Sequence, residues 1–142
     1  MELPDDIYAQ IEELSEKGNL EMDADNASAA IRAWEEALAL LPPPSSDWEA
    51  YTWLSASLGD AFFVSSQLAM AYEHFMNALN GPDGISNPFI LYRIGQCLDM
   101  QGNQISAVEY LLRAYALDGE DIFDAEEGGQ AYLGMLREKG LI

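Results

Sequence analysis

Residues 91–114 read LYRIGQCLDMQGNQISAVEYLLRA, in which Gly95, Ala107, Leu111 and Ala114 follow one another at offsets of 12, 4 and 3. The same offsets occur twice upstream, as Gly59, Ala71, Phe75 and Ala78, and before them as Gly18, Ala30, Trp34 and Ala37. Successive sets are displaced by 41 and then 36 residues, so the internal register is rigid while the spacers vary. A fixed register with elastic spacers marks a repeated supersecondary unit. In each copy the glycine falls in one apolar-periodic segment, and an alanine and a bulky apolar residue lie one helical turn apart in the next. Small residues let two helix backbones approach, and the bulky residue is expected to fill the gap to the following unit. Each copy therefore predicts a helical hairpin.

Caps and breakers divide the chain into seven predicted helices, over about residues 5–22, 27–40, 47–64, 67–79, 88–100, 105–117 and 130–139. Asn26 is a candidate N-cap for the second helix, and Pro42, Pro43 and Pro44 stop it. Ser46 followed by Glu49 has the spacing of a capping box. Asn87 before Pro88 predicts a cap and first helical residue for the fifth helix. The hairpins span about 5–41, 47–80 and 88–118. An acidic loop follows over 119–129, and the helix 130–139 is expected to cap the exposed end of a single stacked domain. Ile122 and Phe123 in that loop are expected to pack the cap helix, with a docking motif as the other reading.

These columns resemble the tetratricopeptide repeat family, whose unit is a helix-turn-helix of about 34 residues. Leu91, Ile94, Gly95, Leu98, Ala107, Leu111 and Ala114 fit its pattern of small and large residues, with Gly102 in the turn. Leu58, Gly59, Phe62, Ala71, Phe75 and Ala78 fit in the second unit, where Ser55 replaces a large apolar residue. In the first, Leu14, Gly18, Ala30, Trp34, Ala37 and Pro42 fit, while Lys17 and Glu21 stand in apolar columns. The resemblance covers roughly residues 5–119 and implies an all-α fold of three hairpins in a short right-handed solenoid. It also implies that the first helix of each hairpin lines a concave wall where partners bind. The positions outside its packing columns are Glu12, Ser15, Asn19, Met22 and Asp23, then Trp53, Ala56, Asp60, Phe63 and Val64, then Phe89, Tyr92, Gln96, Asp99 and Met100. Of these Glu12, Asn19, Asp23, Trp53, Asp60, Phe63, Phe89, Tyr92, Gln96 and Asp99 form the expected partner-binding set. Aromatic residues among carboxylates suit an apolar anchor flanked by Lys or Arg. The alternative is that Trp53, Phe63 and Phe89 are core. The family's clamp for a C-terminal carboxylate is essentially absent, since only Asn19 and Arg93 could contribute to it.

Charge narrows the partner. The 142 residues carry 25 Asp and Glu against six Lys and Arg, a formal net charge of -19, which disfavours nucleic acid and anionic membrane surfaces. Thirteen acids lie in residues 1–50 and eight in 101–142, so the acid is concentrated at the two ends. Such an excess keeps a protein dispersed and also steers basic partners towards it. A lone cysteine gives no disulfide framework. With no basic start, apolar leader or spanning run in view, a cytoplasmic location is the expectation.

Chemistry is not signalled. The glycines lack the spacing of a phosphate loop, and DADN at residues 23–26 lacks the Gly and the terminal Glu of a calcium loop. Cys97 reads as a packed apolar residue, and His74 is expected to face outward or make a polar contact. No cofactor, metal or catalytic group is expected. The sequence points to a non-enzymatic module binding a basic or apolar partner protein, with an immunity-type inhibitor of a bacterial toxin favoured. A secretion chaperone, or the scaffold subunit of a larger complex, is the alternative.

Overall fold

The computed structural model of the chain describes residues 2–142. Its regular elements are helices α1 (Asp5–Asp23), α2 (Ala27–Ala39), α3 (Glu49–Val64), α4 (Leu68–Leu79), α5 (Pro88–Met100), α6 (Gln104–Asp118), α7 (Asp121–Asp124) and α8 (Gly129–Glu138). Short 3-10 turns lie at Ser45–Asp47 and Gly84–Ser86, and no strand is present among the described residues. The three expected hairpins form, α1 against α2, α3 against α4 and α5 against α6. The chain divides into two compact units, Met1–Gly84 and Ile85–Ile142, where the sequence suggests one domain. The first unit holds two hairpins, with α2 packed on α3, and the second holds the third hairpin with α7 and α8.

One turn is used three times. Seven residues after each repeat glycine the backbone enters the left-handed region, at Asp25 (φ 59°), Ser66 (φ 61°) and Gly102 (φ 87°). The next residue's N–H then bonds back across the helix end, Asn26 to the Glu21 carbonyl, Gln67 to Phe62 and Asn103 to Leu98, at 2.8, 2.9 and 2.8 Å. With the bonds from the N–H groups of Asp25, Ser66 and Gly102 to the carbonyls of Met22, Phe63 and Asp99, each 3.0 Å, this is a Schellman ending, which satisfies carbonyls that a helix otherwise leaves bare. Asn26 and Asn103 also cap the following helix through their side chains.

The glycines place the two helices of each hairpin. A Cβ built on Gly59 would stand 2.9 Å from the Phe75 ring and one on Gly95 2.6 Å from Leu111, while on Gly18 it would run into the Trp34 indole. Trp34, Phe75 and Leu111 are all buried. The sequence reading has them fill the gap to the next unit; the structure shows each turned onto the glycine of its own hairpin. Trp34 also donates its indole N–H to the Ser15 carbonyl at 3.3 Å.

Helix ends differ from the sequence reading in two places. The capping box at Ser46 does not form. Trp48 donates its indole N–H to the Pro42 carbonyl at 2.7 Å, residues Ser45–Asp47 take a 3-10 turn, and α3 begins only at Glu49. The acidic loop contains the extra turn α7, and α8 starts at Gly129, whose missing Cβ leaves room for the Phe123 carbonyl.

Trp34→Ala should lower stability by about 3 to 5 kcal/mol, the usual cost of emptying a buried aromatic site. Denaturant unfolding followed by circular dichroism reads it, and a loss below about 1 kcal/mol would mean that the site is not packed as described.

Candidate functional site

Helix α5 starts from Asn87, whose side chain accepts hydrogen bonds from the N–H groups of Phe89 and Ile90. Helical spacing then aligns Phe89, Tyr92, Gln96 and Asp99 along one stripe. On an open wall that stripe would face solvent. Instead every residue from Ile90 to Leu98 is buried, so α5 is enclosed on all sides. The expected contact residues Tyr92 and Gln96 are 1% and 6% exposed. The acidic segment and α8 cover them. Phe123 meets the Tyr92 ring edge-on with centroids 5.2 Å apart, Tyr132 does so at 6.0 Å, and Phe123 also lies 6.4 Å from the Tyr115 ring of α6. Phe123 is thus fully buried against Tyr92 of α5 and Tyr115 of α6, whereas the expectation is that it packs the cap helix against the sixth helix.

Beside these rings lies a closed polar network. Arg93 donates to both carboxylate oxygens of Glu126, at 2.9 and 3.0 Å, and to the Gln96 amide oxygen at 2.6 Å. Gln96 returns a bond to Glu126 at 2.7 Å. The Arg93 guanidinium also lies 5.0 Å from the centre of the Phe89 ring. A buried guanidinium needs a counter-charge and several acceptors, and both come from the loop and from its own helix. Arg93 is therefore committed to Glu126. The Tyr92 hydroxyl is buried beside this network without a well-formed hydrogen bond, although the Glu126 carboxylate acts on it. Burial first, and then that carboxylate, push its ionisation well above the ordinary tyrosine value.

The corresponding stripe of α3 is different. Trp53 is 38% exposed, Val64 is 58% exposed, and Ala56, Asp60 and Phe63 are half-buried. Phe89 is likewise half-buried, so none of the three aromatics weighed as core is fully enclosed. In α1, Glu12, Asn19 and Asp23 are exposed. The expected contact set thus falls on two units, open in the first and largely covered in the second, where Asp99 remains half-buried.

No family model matches the sequence, and no curated protein matches it. Among solved structures 30 chains match. One is the crystal structure of MamA, with a TM-score of 0.69 at 20% identity, over 92% of this chain and 69% of that one. The fold is tetratricopeptide-like. At that identity the likeness is one of fold alone, and it extends over all three hairpins.

The two residues most open to chemistry are sequestered. Cys97 is buried, and burial pushes its thiol up to about 11, where it is a poor nucleophile at neutral pH. His74, expected to face outward or make a polar contact, is half-buried: it stacks flat on Phe62 with centroids 5.2 Å apart, and its buried Nδ1 has no hydrogen-bond partner. Burial lowers its pKa, against the opposing pull of Glu73 and Glu35. The described residues contain no cluster of His, Cys, Asp and Glu able to hold a metal ion. Sequence reasoning missed Glu126, Tyr132 and the enclosure of Arg93. The available signal was that a lone cation in an otherwise apolar helix needs a carboxylate from somewhere else.

Glu126→Ala should cost about 2 to 3 kcal/mol by stranding a buried guanidinium, whereas Tyr92→Phe should be within about 1 kcal/mol of neutral or stabilising. Denaturant midpoints of the two variants test this, and a reversed order would contradict the network as described.

Proposed function

We propose that this chain is a non-enzymatic protein-interaction module that uses the face of α3 to bind a partner with a basic surface. The observation that carries the reading is the α3 stripe, where Trp53 and Val64 stand exposed with Asp60 between them in register. An exposed tryptophan is among the residue types that most often anchor a partner. Aromatic anchors ringed by charge are the residues that dominate binding energy at interfaces. Exposed Glu12 and Asp23 on α1 add to the acidic character of this unit, which favours a basic partner in both encounter rate and selectivity. The tetratricopeptide-like fold supports the reading by analogy, since stacked hairpins serve as binding scaffolds.

Within that class we favour an immunity-type inhibitor, which would mask a basic toxin surface by charge and shape without chemistry of its own. A secretion chaperone or a scaffold subunit would use the same face on a different partner. No described helix is long and apolar enough to cross a membrane, which is consistent with a partner met in solution.

The two kinds of contact should separate kinetically. Once a partner is purified, Trp53→Ala should raise its dissociation rate by roughly 10- to 30-fold with little change in association. Asp60→Lys should slow association and flatten its dependence on salt. Surface plasmon resonance at low and high salt reads both, and unchanged kinetics in both variants would rule out the α3 face as the binding surface.

A further inference from the structure

Asp99 at the end of α5 and Glu127 in the turn before α8 line one cleft of about 370 Å³, together with Gln96, Gln104, Tyr132 and Met135. That volume is at the small end of ligand cavities, which run from roughly 300 to 1,000 Å³, and suits a single side chain. Its lining contains two carboxylates and no cation. Two other glutamates of the same acidic segment are matched, Glu126 with Arg93 and Glu120 with Arg137, but Asp99 and Glu127 enter no ion pair among the described residues.

The cleft is also built rather than merely acidic. Its inner wall is Gln96, which is 6% exposed and held by Arg93 and Glu126, so its amide cannot turn freely. Burial and then the Asp99 carboxylate raise the ionisation of the Tyr132 hydroxyl. The negative charge of the cleft is that of Asp99 and Glu127 in its lining. The Tyr132 ring, Ala131 and Met135 give the remaining wall an apolar character. A compact ammonium on a methylene stem matches this lining: the Asp99 and Glu127 carboxylates for its donors, an aromatic face and a thioether for the stem.

We propose that the cleft takes one lysine side chain of a partner protein, its ammonium held by Asp99 and Glu127 and its stem lying along Tyr132 and Met135. The proposal rests on the reading of a basic protein partner, but it involves the other unit of the chain and none of the α3 residues. A small probe therefore tests it whatever the α3 face does.

The probe is Nα-acetyl-lysine N-methylamide, titrated into the isotope-labelled full chain and followed by amide NMR shifts, beside the norleucine analogue that lacks only the ammonium. The lysine probe should give saturable shifts at Ala131, Tyr132 and Met135, and the norleucine analogue should not. Asp99→Asn and Glu127→Gln, both changes at side chains that are not enclosed, should each weaken binding by about five-fold, the loss of one partly exposed ion pair. Equal shifts with norleucine would make the cleft an apolar pocket and overturn the assignment. Shifts spread over the acidic surface and undiminished in the variants would reduce it to counter-ion attraction. Absence of shifts would refute it, and saturation of the same amides by spermidine at a tenth of the lysine concentration would make a free polyamine the ligand instead.

Discussion

A hole left by a missing Cβ, filled by one bulky side chain, is the contact on which the hairpins depend. Gly18 receives Trp34, Gly59 receives Phe75 and Gly95 receives Leu111. Placing glycine inside a helix costs about 1 kcal/mol relative to alanine. Burying a large apolar side chain in the hole contributes roughly 1.5 to 3 kcal/mol, so the exchange favours the glycine. Alanines at fixed distances from the bulky residue, Ala30 and Ala37 and their equivalents, are fully buried and complete the close approach of the two helices. The Schellman turn between them repeats in the same register because it must return the chain at the same point relative to that hole.

The contrast between α3 and α5 connects this scaffold with function. Both helices present the same register of outward positions, yet Tyr92 and Gln96 are buried where their α3 counterparts, Ala56 and Asp60, are only half-buried. The difference lies in the acidic segment and α8, which fold back over the third hairpin. Two of the chain's few arginines, Arg93 and Arg137, are spent on Glu126 and Glu120, pinning an acidic segment that would otherwise be repelled by the rest of the molecule. Once pinned, that segment lets Phe123 and Tyr132 enclose Tyr92. On α3, by contrast, Trp53 and Val64 stand exposed.

The hairpins were legible in the sequence because their determinants are local and repeated: a glycine, two alanines and one bulky residue at constant offsets. The cap at Asn87 and the stop at Met100 were legible for the same reason. The enclosure of α5 was not. It depends on Glu126 reaching Arg93 across 33 residues, from a loop whose composition looks solvated, and no periodicity records such a pairing. The start of α3 was misplaced because the Trp48 indole donates back to the Pro42 carbonyl and a 3-10 turn occupies Ser45–Asp47, which leaves Trp48 rather than Ser46 at the head of the helix. The stacking of His74 on Phe62 was not legible, because Phe62 lies on the neighbouring helix and the spacing of α4 does not reveal it.

The most direct test of the central contact is a double-mutant cycle at Gly59 and Phe75, with Gly134→Ala as the control. Gly134 lies in α8 with nothing within 4 Å of a built Cβ, so alanine there should stabilise by up to about 1 kcal/mol through helix propensity alone. Gly59→Ala should destabilise despite the same propensity gain. The double variant Gly59→Ala, Phe75→Ala should be more stable than the sum of the single changes implies, by about 1 kcal/mol or more, because the new methyl group occupies space that the ring has vacated. If Gly59→Ala stabilises as the control does, and the two changes add, then the hole does not hold the hairpin together and the account of the fold is wrong.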